Sequence, residues 1–319
     1  MADPRRPAMS STLEHMVSDY LQVRRSMGYK LTNAEYILGQ FVAYLHDHDT
    51  ETVTVEHALG FAMAPQDKSR RWQALRLSAV RFARWAHCLD PEIEVPPARL
   101  LPARPTRVAP FIYSADQIQD LLGAAGELHP AMRAATYRTL IALMAATGIR
   151  TGEVIGLDID HFDAVAQTLT VTGKYDKIRM LPLHPTVVDG LTDYLARRER
   201  LLPATACPAL LISTRGTRLH PSTVHQVFSG LRAHAGLGPV SAKCRPRLHD
   251  LRHTFAVSTM LDAYRSGGNP AEVLPLLSTW MGHSEPSDTY WYLSGTAELM
   301  AAATQRLESR FDDLGAQPS

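Results

Sequence analysis

Five cationic or titratable side chains and one phenol follow one another along this 319-residue chain in an order suited to attack on a phosphodiester. They are Arg150 closing Thr147-Gly148-Ile149-Arg150, Lys174 after Gly173, His249 and Arg252 three residues apart, His283 after Gly282, and Tyr292 nine residues beyond His283. A phenol can serve as nucleophile, but with a pKa of roughly 10 it needs a cationic pocket or a nearby base to attack at neutral pH. Two guanidiniums provide that charge. Their planar forks suit the two non-bridging phosphate oxygens and stabilise a pentavalent transition state. The departing oxygen is a basic alkoxide, so an amine such as Lys174 is the candidate general acid, with His249 assisting proton transfer and His283 hydrogen-bonding the phosphate. No clustered Asp, Glu and His set suggests a two-metal nuclease, so the predicted chemistry needs neither metal nor other cofactor.

The flanking patterns say how these groups are carried. Tyr137, Leu140, Ile141, Met144 and Ala145 form a helical apolar stripe, and Gly148 is placed to end that helix in a left-handed conformation, leaving Arg150 just past its end. Residues 168–172 and 178–183 read as two short strands joined by a turn that carries Lys174 and its rival Lys177. His249 and Arg252 project from one face of a helix. Pro286 interrupts the stretch between His283 and Tyr292, which places the phenol on a segment able to move.

Residues 11–90 read as helices, through Leu13, Met16, Val17, Tyr20 and Leu21, then Tyr36, Ile37, Phe41 and Tyr44. Residues 91–110 hold six prolines with Arg99, Arg104 and Arg107, which favours an extended connector. Ser114, with Gln117 three residues later, then opens a second domain with a capped helix. The expected layout is a disordered N-terminus at 1–10, a helical domain at 11–90, a linker at 91–111, a mainly α domain with a small antiparallel sheet at 112–312, and a tail at 313–319. Residues 296–314 form one amphipathic helix with Leu299, Met300, Ala303 and Leu307 on one side.

Bulk composition excludes more than it proposes. With 33 Lys and Arg against 32 Asp and Glu the formal charge is +1, so any nucleic-acid contact must come from local patches. Residues 68–89 carry six basic residues and no acid; Trp72, Leu75, Ala79, Phe82 and Ala86 fall on one side of a helix, and Arg70, Arg81 and Arg84 lie across from them. Arg70, Arg71, Arg81 and Arg84 are therefore candidate phosphate contacts, against the alternative of a solvated face. Lys243, Arg245 and Arg247, just before His249, form a second patch. The three cysteines are widely spaced and support neither a disulfide framework nor a zinc site. No apolar run reaches membrane-spanning length, so a cytoplasmic protein without membrane partners is expected.

The blocks Ala146-Thr-Gly-Ile-Arg-Thr-Gly-Glu-Val-Ile-Gly-Leu157, Gly173-Lys174 with Arg179-Met-Leu-Pro-Leu183, Leu248-His-Asp-Leu-Arg-His-Thr-Phe-Ala256, and Met281-Gly-His283 followed by Tyr292 resemble the tyrosine recombinase (phage integrase) family over nearly the whole chain. The resemblance implies an N-terminal helical core-binding (SAM-like) domain and a C-terminal catalytic domain that clamp double-stranded DNA. It implies a catalytic set of Arg150, Lys174, His249, Arg252, His283 and Tyr292, and a 3′-phosphotyrosyl intermediate. Tyr290 competes with Tyr292, but the offset from His283 favours Tyr292; the Gly-Lys alignment favours Lys174 over Lys177. Glu153, one turn after Arg150, is expected to support its guanidinium, and His253 to be structural. The implied activity is site-specific strand cleavage and rejoining for integration, excision or transposition of a mobile element. The implied assembly is a dimer on a site and a tetramer in synapsis, with sister recombinases as further partners. The Thr-Tyr-Trp-Tyr-Leu ending looks like transposon-borne members. A type IB topoisomerase-like enzyme and a catalytically silent DNA-binding accessory are the alternatives. The C-terminal helix docks either on a neighbouring protomer, as is common in the family, or on its own domain.

Overall fold

The computed structural model describes residues 9–50, 52–64, 70–97, 100–101, 110–173, 176–241, 244–266, 268–283, 289 and 297–315. The chain divides into two compact units, Met1–Arg107 and Val108–Ser319.

The first unit is built from α1 (Met9–Ser26), α2 (Thr32–Asp47), α3 (Val55–Met63), α4 (Arg70–Ala79), a 3-10 turn (Val80–Phe82) and α5 (Ala83–Ala86). Helix α1 begins at Met9, inside the stretch expected to be disordered. Leu13, Val17 and Leu21 pack with Ile37, Leu38, Phe41 and Leu45 of α2 and with Phe61 and Phe82. Tyr36 falls outside this stripe and is 60% exposed.

The basic segment folds differently from its expected projection. Leu75 is exposed and Arg76 buried, the reverse of a simple apolar stripe. The Arg76 guanidinium lies 3.6 Å from the centroid of the Phe61 ring and donates to the Phe61 carbonyl and to Gln40 Oε1, both at 3.1 Å. Stacking and paired donors make a buried arginine tolerable there. The 3-10 turn then winds faster than an α-helix and shifts the buried face onto Val80, Phe82, Ala83 and Ala86. Arg81 and Arg84 remain exposed. Lys68 and the side chains of Arg70 and Arg71 lie outside the described residues.

The second unit comprises α6 (Ala115–Gly126), α7 (Ala131–Thr147), α8 (Thr151–Gly156), a 3-10 turn (Ile159–His161), strands β1 (Phe162–Asp163), β2 (Thr168–Thr172) and β3 (Ile178–Pro182), then α9 (Pro185–Leu201), α10 (Pro221–His234), α11 (Asp250–Arg265), α12 (Pro270–Met281) and α13 (Ala297–Gly315). Ser114 and Gln117 close a reciprocal capping box on α6. The strands form one antiparallel sheet in the order β1-β2-β3, with Val171 opposite Arg179. Strand β1, two residues long, is too short to leave an alternation in the sequence.

Leu140, Ile141 and Met144 of α7 share one core with Leu169, Val171 and Leu181 of the sheet and Leu251 of α11. A smaller cluster joins Val257 and Met260 of α11, Leu274, Leu277 and Met281 of α12, and Leu299 of α13. Helix α13 thus lies on its own domain, where Arg306 also donates to the Gly268 carbonyl at 2.5 Å. Met300, expected on its buried side, faces solvent, and the Leu307 side chain lies outside the described residues.

Candidate active site

Two helices end where the cationic residues gather, and both stop on a left-handed glycine: Gly148 (φ 64°) after α7 and Gly282 (φ 65°) after α12. No larger residue fits the first position, since a Cβ there would lie 2.5 Å from the Phe255 ring. Each helix end leaves carbonyl oxygens without helical partners and with partial negative charge.

Three arginines take up three successive carbonyls at the end of α12. Arg179 Nε donates to Trp280 O at 2.8 Å, Arg252 Nη2 to Met281 O at 2.6 Å, and Arg150 Nη2 to Gly282 O at 3.2 Å. Arg252 Nη1 also donates to Gly148 O at 2.6 Å, and the Trp280 indole donates to Thr147 O at 2.8 Å, so the two helix ends are tied together. Like charges gathered this closely repel, and two sources of negative charge offset the repulsion: the helix ends and the Glu153 carboxylate.

Glu153 sits in the first turn of α8. Its Oε1 accepts from Arg150 Nη1 at 2.7 Å and Arg179 Nη1 at 3.2 Å; its Oε2 accepts from the Arg150 backbone N–H at 2.9 Å and Arg179 Nη2 at 2.7 Å. Burial alone would push this carboxyl up, but the hydrogen bonds from Arg179 and the Arg150 backbone, with the Arg179 charge, hold it below the usual carboxylate range.

Arg252 is fully buried, whereas Arg150 is half-buried and reaches the surface. Arg252 Nη2 also lies 2.9 Å from His283 Nε2. A guanidinium only donates, so Nε2 accepts, and His283 Nδ1 carries the proton it donates to Thr289 Oγ1 at 2.7 Å. Both ring nitrogens therefore have protein partners, and His283 helps to hold the Arg252 guanidinium in place.

His249 precedes α11 by one residue, placing it one turn before Arg252. Its ring meets His253 edge-on at 5.1 Å. His249 reaches the surface, yet partial desolvation by its neighbours, then the Arg252 charge, hold its pKa below the ordinary imidazole value. Burial, then His249, push the pKa of buried His253 down to about 3. A depressed histidine pKa means the unfolded chain binds more protons, so stability is retained above about pH 6.5 and falls as pH drops from there toward 3. The expected slope is about 1.4 kcal/mol per pH unit from this one group. Thermal melts between pH 7 and 5 check it: His253→Gln should flatten the acid-side decline relative to the parent chain, and an unchanged slope would exclude His253 as the cause.

The expected DNA contacts just before His249 lie beside this cluster. Arg247 is tied to Asp250 by Nη2–Oδ1 at 2.8 Å and Nε–Oδ2 at 3.1 Å, which braces the start of α11 while the arginine side chain stays 50% exposed. Arg245 is exposed, and Lys243 lies outside the described residues. Lys174, Tyr290 and Tyr292 also lie outside them. Asp158, Asp160 and His161 do bring possible metal-ligand atoms within 4.8 Å of one another, a cluster the sequence did not reveal. The Asp158 carboxylate is already paired with Arg218, and His161 Nδ1 accepts the Asp158 N–H at 3.0 Å.

Three site residues escaped sequence reading: Arg179, Trp280 and Thr289. Arg179 alone left a signal. In β3 the inward positions are Arg179 and Leu181 while Ile178 and Met180 are exposed, so the phase set by Leu181 places a charge on the core face.

The phage integrase family model matches residues 112–298, which include both glycine-ended helices, α7 and α12, and every expected catalytic position. The chain belongs to the phage integrase family. Its relatives include the Sinorhizobium fredii protein named as integrase/recombinase y4rB, 40% identical over 311 residues that cover 95% of this chain and 99% of that one. Tyrosine recombinase XerC of Mycobacterium sp. (strain KMS) is 31% identical over 267 residues, covering 81% and 83% of the two chains. Among solved structures, XerH site-specific recombinase bound to palindromic difH substrate superposes with a TM-score of 0.64 at 16% identity, covering 97% of this chain and 100% of that one; the likeness is one of fold. As a phage integrase family member this chain is a tyrosine recombinase, an enzyme of site-specific strand exchange. Among the described residues no helix is long and apolar enough to cross a membrane.

Proposed function

We propose that this recombinase breaks and rejoins DNA strands through a 3′-phosphotyrosyl intermediate at Tyr292. The observation that carries the reading is the convergence of Arg150, Arg252 and Arg179 on consecutive carbonyls of one helix end, beside His283. A site that concentrates cationic donors before its substrate arrives is preorganised for an oxyanion-rich transition state. Arg150, at the surface, and Arg252, fixed behind it, hold the non-bridging oxygens while Tyr292 attacks. Lys174 on the β2–β3 turn protonates the leaving 5′-oxygen, and neutral His249 assists proton transfer. The ester to protein preserves the bond energy, so another strand's 5′-hydroxyl can religate it without ATP, metal or cofactor.

The partner is double-stranded DNA, bound by a dimer on each site and a tetramer in synapsis, with sister recombinases as co-workers, in the cytoplasm. Exposed Arg81, Arg84, Arg245 and Arg247, with Arg70, Arg71 and Lys243, contact phosphates; the role is movement of a mobile element. Incubating the chain with sheared genomic DNA of its host tests this. The expected product is a detergent-resistant protein–DNA adduct, and duplexes built on the captured site should recombine only in pairs. Relaxation of supercoiled plasmid without a second site would favour a topoisomerase; no adduct at all would favour a silent accessory.

A further inference from the structure

Arg179 is given no contact with a reacting atom in the chemistry above, yet its guanidinium is engaged on both edges. Its guanidinium donates twice to Glu153, through Nη1–Oε1 at 3.2 Å and Nη2–Oε2 at 2.7 Å, while Nε holds the Trp280 carbonyl at 2.8 Å. Two glycines close over it. A Cβ at Gly282 would come 2.9 Å from its Nη1, and one at Gly173 would come 3.4 Å from the same atom. Gly173 directly precedes Lys174, and Gly282 directly precedes His283. The side chain is only 13% exposed, so no solvent route to a substrate is needed to explain its place.

We propose that Arg179 is a positioning residue for strand cleavage: it fixes the Glu153 carboxylate that in turn holds Arg150 toward the scissile phosphate. The geometry explains why a second arginine is required. Glu153 alone would be a buried carboxylate free to pull Arg150 inward as a closed ion pair. Because Arg179 already neutralises it from the other side, Arg150 keeps one edge on Glu153 and its Nη2 edge at the Gly282 carbonyl, near the surface. A lysine at 179 keeps the charge but cannot span two carboxylate oxygens and a carbonyl with one planar fork.

The proposal rests on the cleavage reading above, and the test separates the two. The substrate is a nicked duplex built on DNA that the parent chain captures covalently from sheared host genome; failure of the parent chain to form an adduct would count against the cleavage reading itself. Given parent activity, Arg179→Lys is expected to slow single-turnover cleavage on the order of 10–100-fold, as a misplaced catalytic group does, while DNA affinity changes less than about 3-fold. A purely structural role would not produce the second expectation: in an Arg150→Lys background the same change should cost less than about 3-fold, because its effect passes through Arg150. Cleavage by Arg179→Lys within about 3-fold of the parent, or an equal loss in both backgrounds, would overturn the proposal. Should Arg179→Lys fail to fold, Glu153→Gln reads the same link while leaving Arg179 on the Trp280 carbonyl. A comparable loss with retained DNA affinity supports it, and parent-like cleavage rejects it.

Discussion

Arg252→Ala should lose strand cleavage and a large part of the catalytic domain's stability together. The arginine is fully buried and bonds Gly148 O and Met281 O, each at 2.6 Å, so its removal leaves two helix-end carbonyls and His283 Nε2 without their donor. Each unsatisfied buried polar group costs about 1–3 kcal/mol, and breaking such a buried charged network typically costs about 3–5 kcal/mol in all. For a domain of this size that corresponds to a fall in melting temperature of roughly 10 °C. Cleavage should fall at least on the order of 10²–10³-fold, the usual loss when one preorganised donor to a developing oxyanion is removed. Calorimetry and adduct formation on the same preparation check both. A variant that loses cleavage but melts like the parent would mean that Arg252 does not tie the ends of α7 and α12 together.

Tyr292→Phe should abolish the covalent adduct while leaving DNA binding within about 3-fold, because only the attacking oxygen is removed and the aromatic ring remains. The expected loss is on the order of 10⁴-fold or more, as for the removal of other enzyme nucleophiles. Tyr290→Phe, two residues away, should retain the adduct. Gel shift measures binding, and detergent-resistant protein–DNA complexes measure cleavage. An adduct that persists in Tyr292→Phe and disappears in Tyr290→Phe would transfer the nucleophile to Tyr290.

The fold class was legible because its signals are local. Ser114 and Gln117 marked a helix start, Gly148 marked a helix end, and the two strands around residue 175 carried their own turn. Periodicity misled where a charged side chain entered the core, as Arg76 does by lying against Phe61, and where a 3-10 turn changed the winding after Ala79. Side-chain types along the sequence suggested a phosphate site, but not how its parts meet. Backbone carbonyls have no sequence signature, so nothing in the chain announced that Arg179, Arg252 and Arg150 would take the carbonyls of residues 280, 281 and 282 in turn. The same gap hid the tie between Thr289 and His283 and the commitment of Arg247 to Asp250. Partner choice is a property of the fold, whereas residue type is a property of the sequence.

The claim that the gathered guanidiniums serve one phosphate can be tested at the phosphate. A nicked duplex of the captured site is made with a methylphosphonate at the scissile position, which replaces one charged non-bridging oxygen by a methyl group. Cleavage by the parent chain and by Arg150→Ala is then compared on the normal and neutral linkages. Arg150→Ala should be slower by on the order of 100-fold on the phosphate but by less than about 10-fold on the methylphosphonate, because there is less charge left to stabilise. An equal deficit on both linkages would show that Arg150 does not act on the charge of the bond being broken.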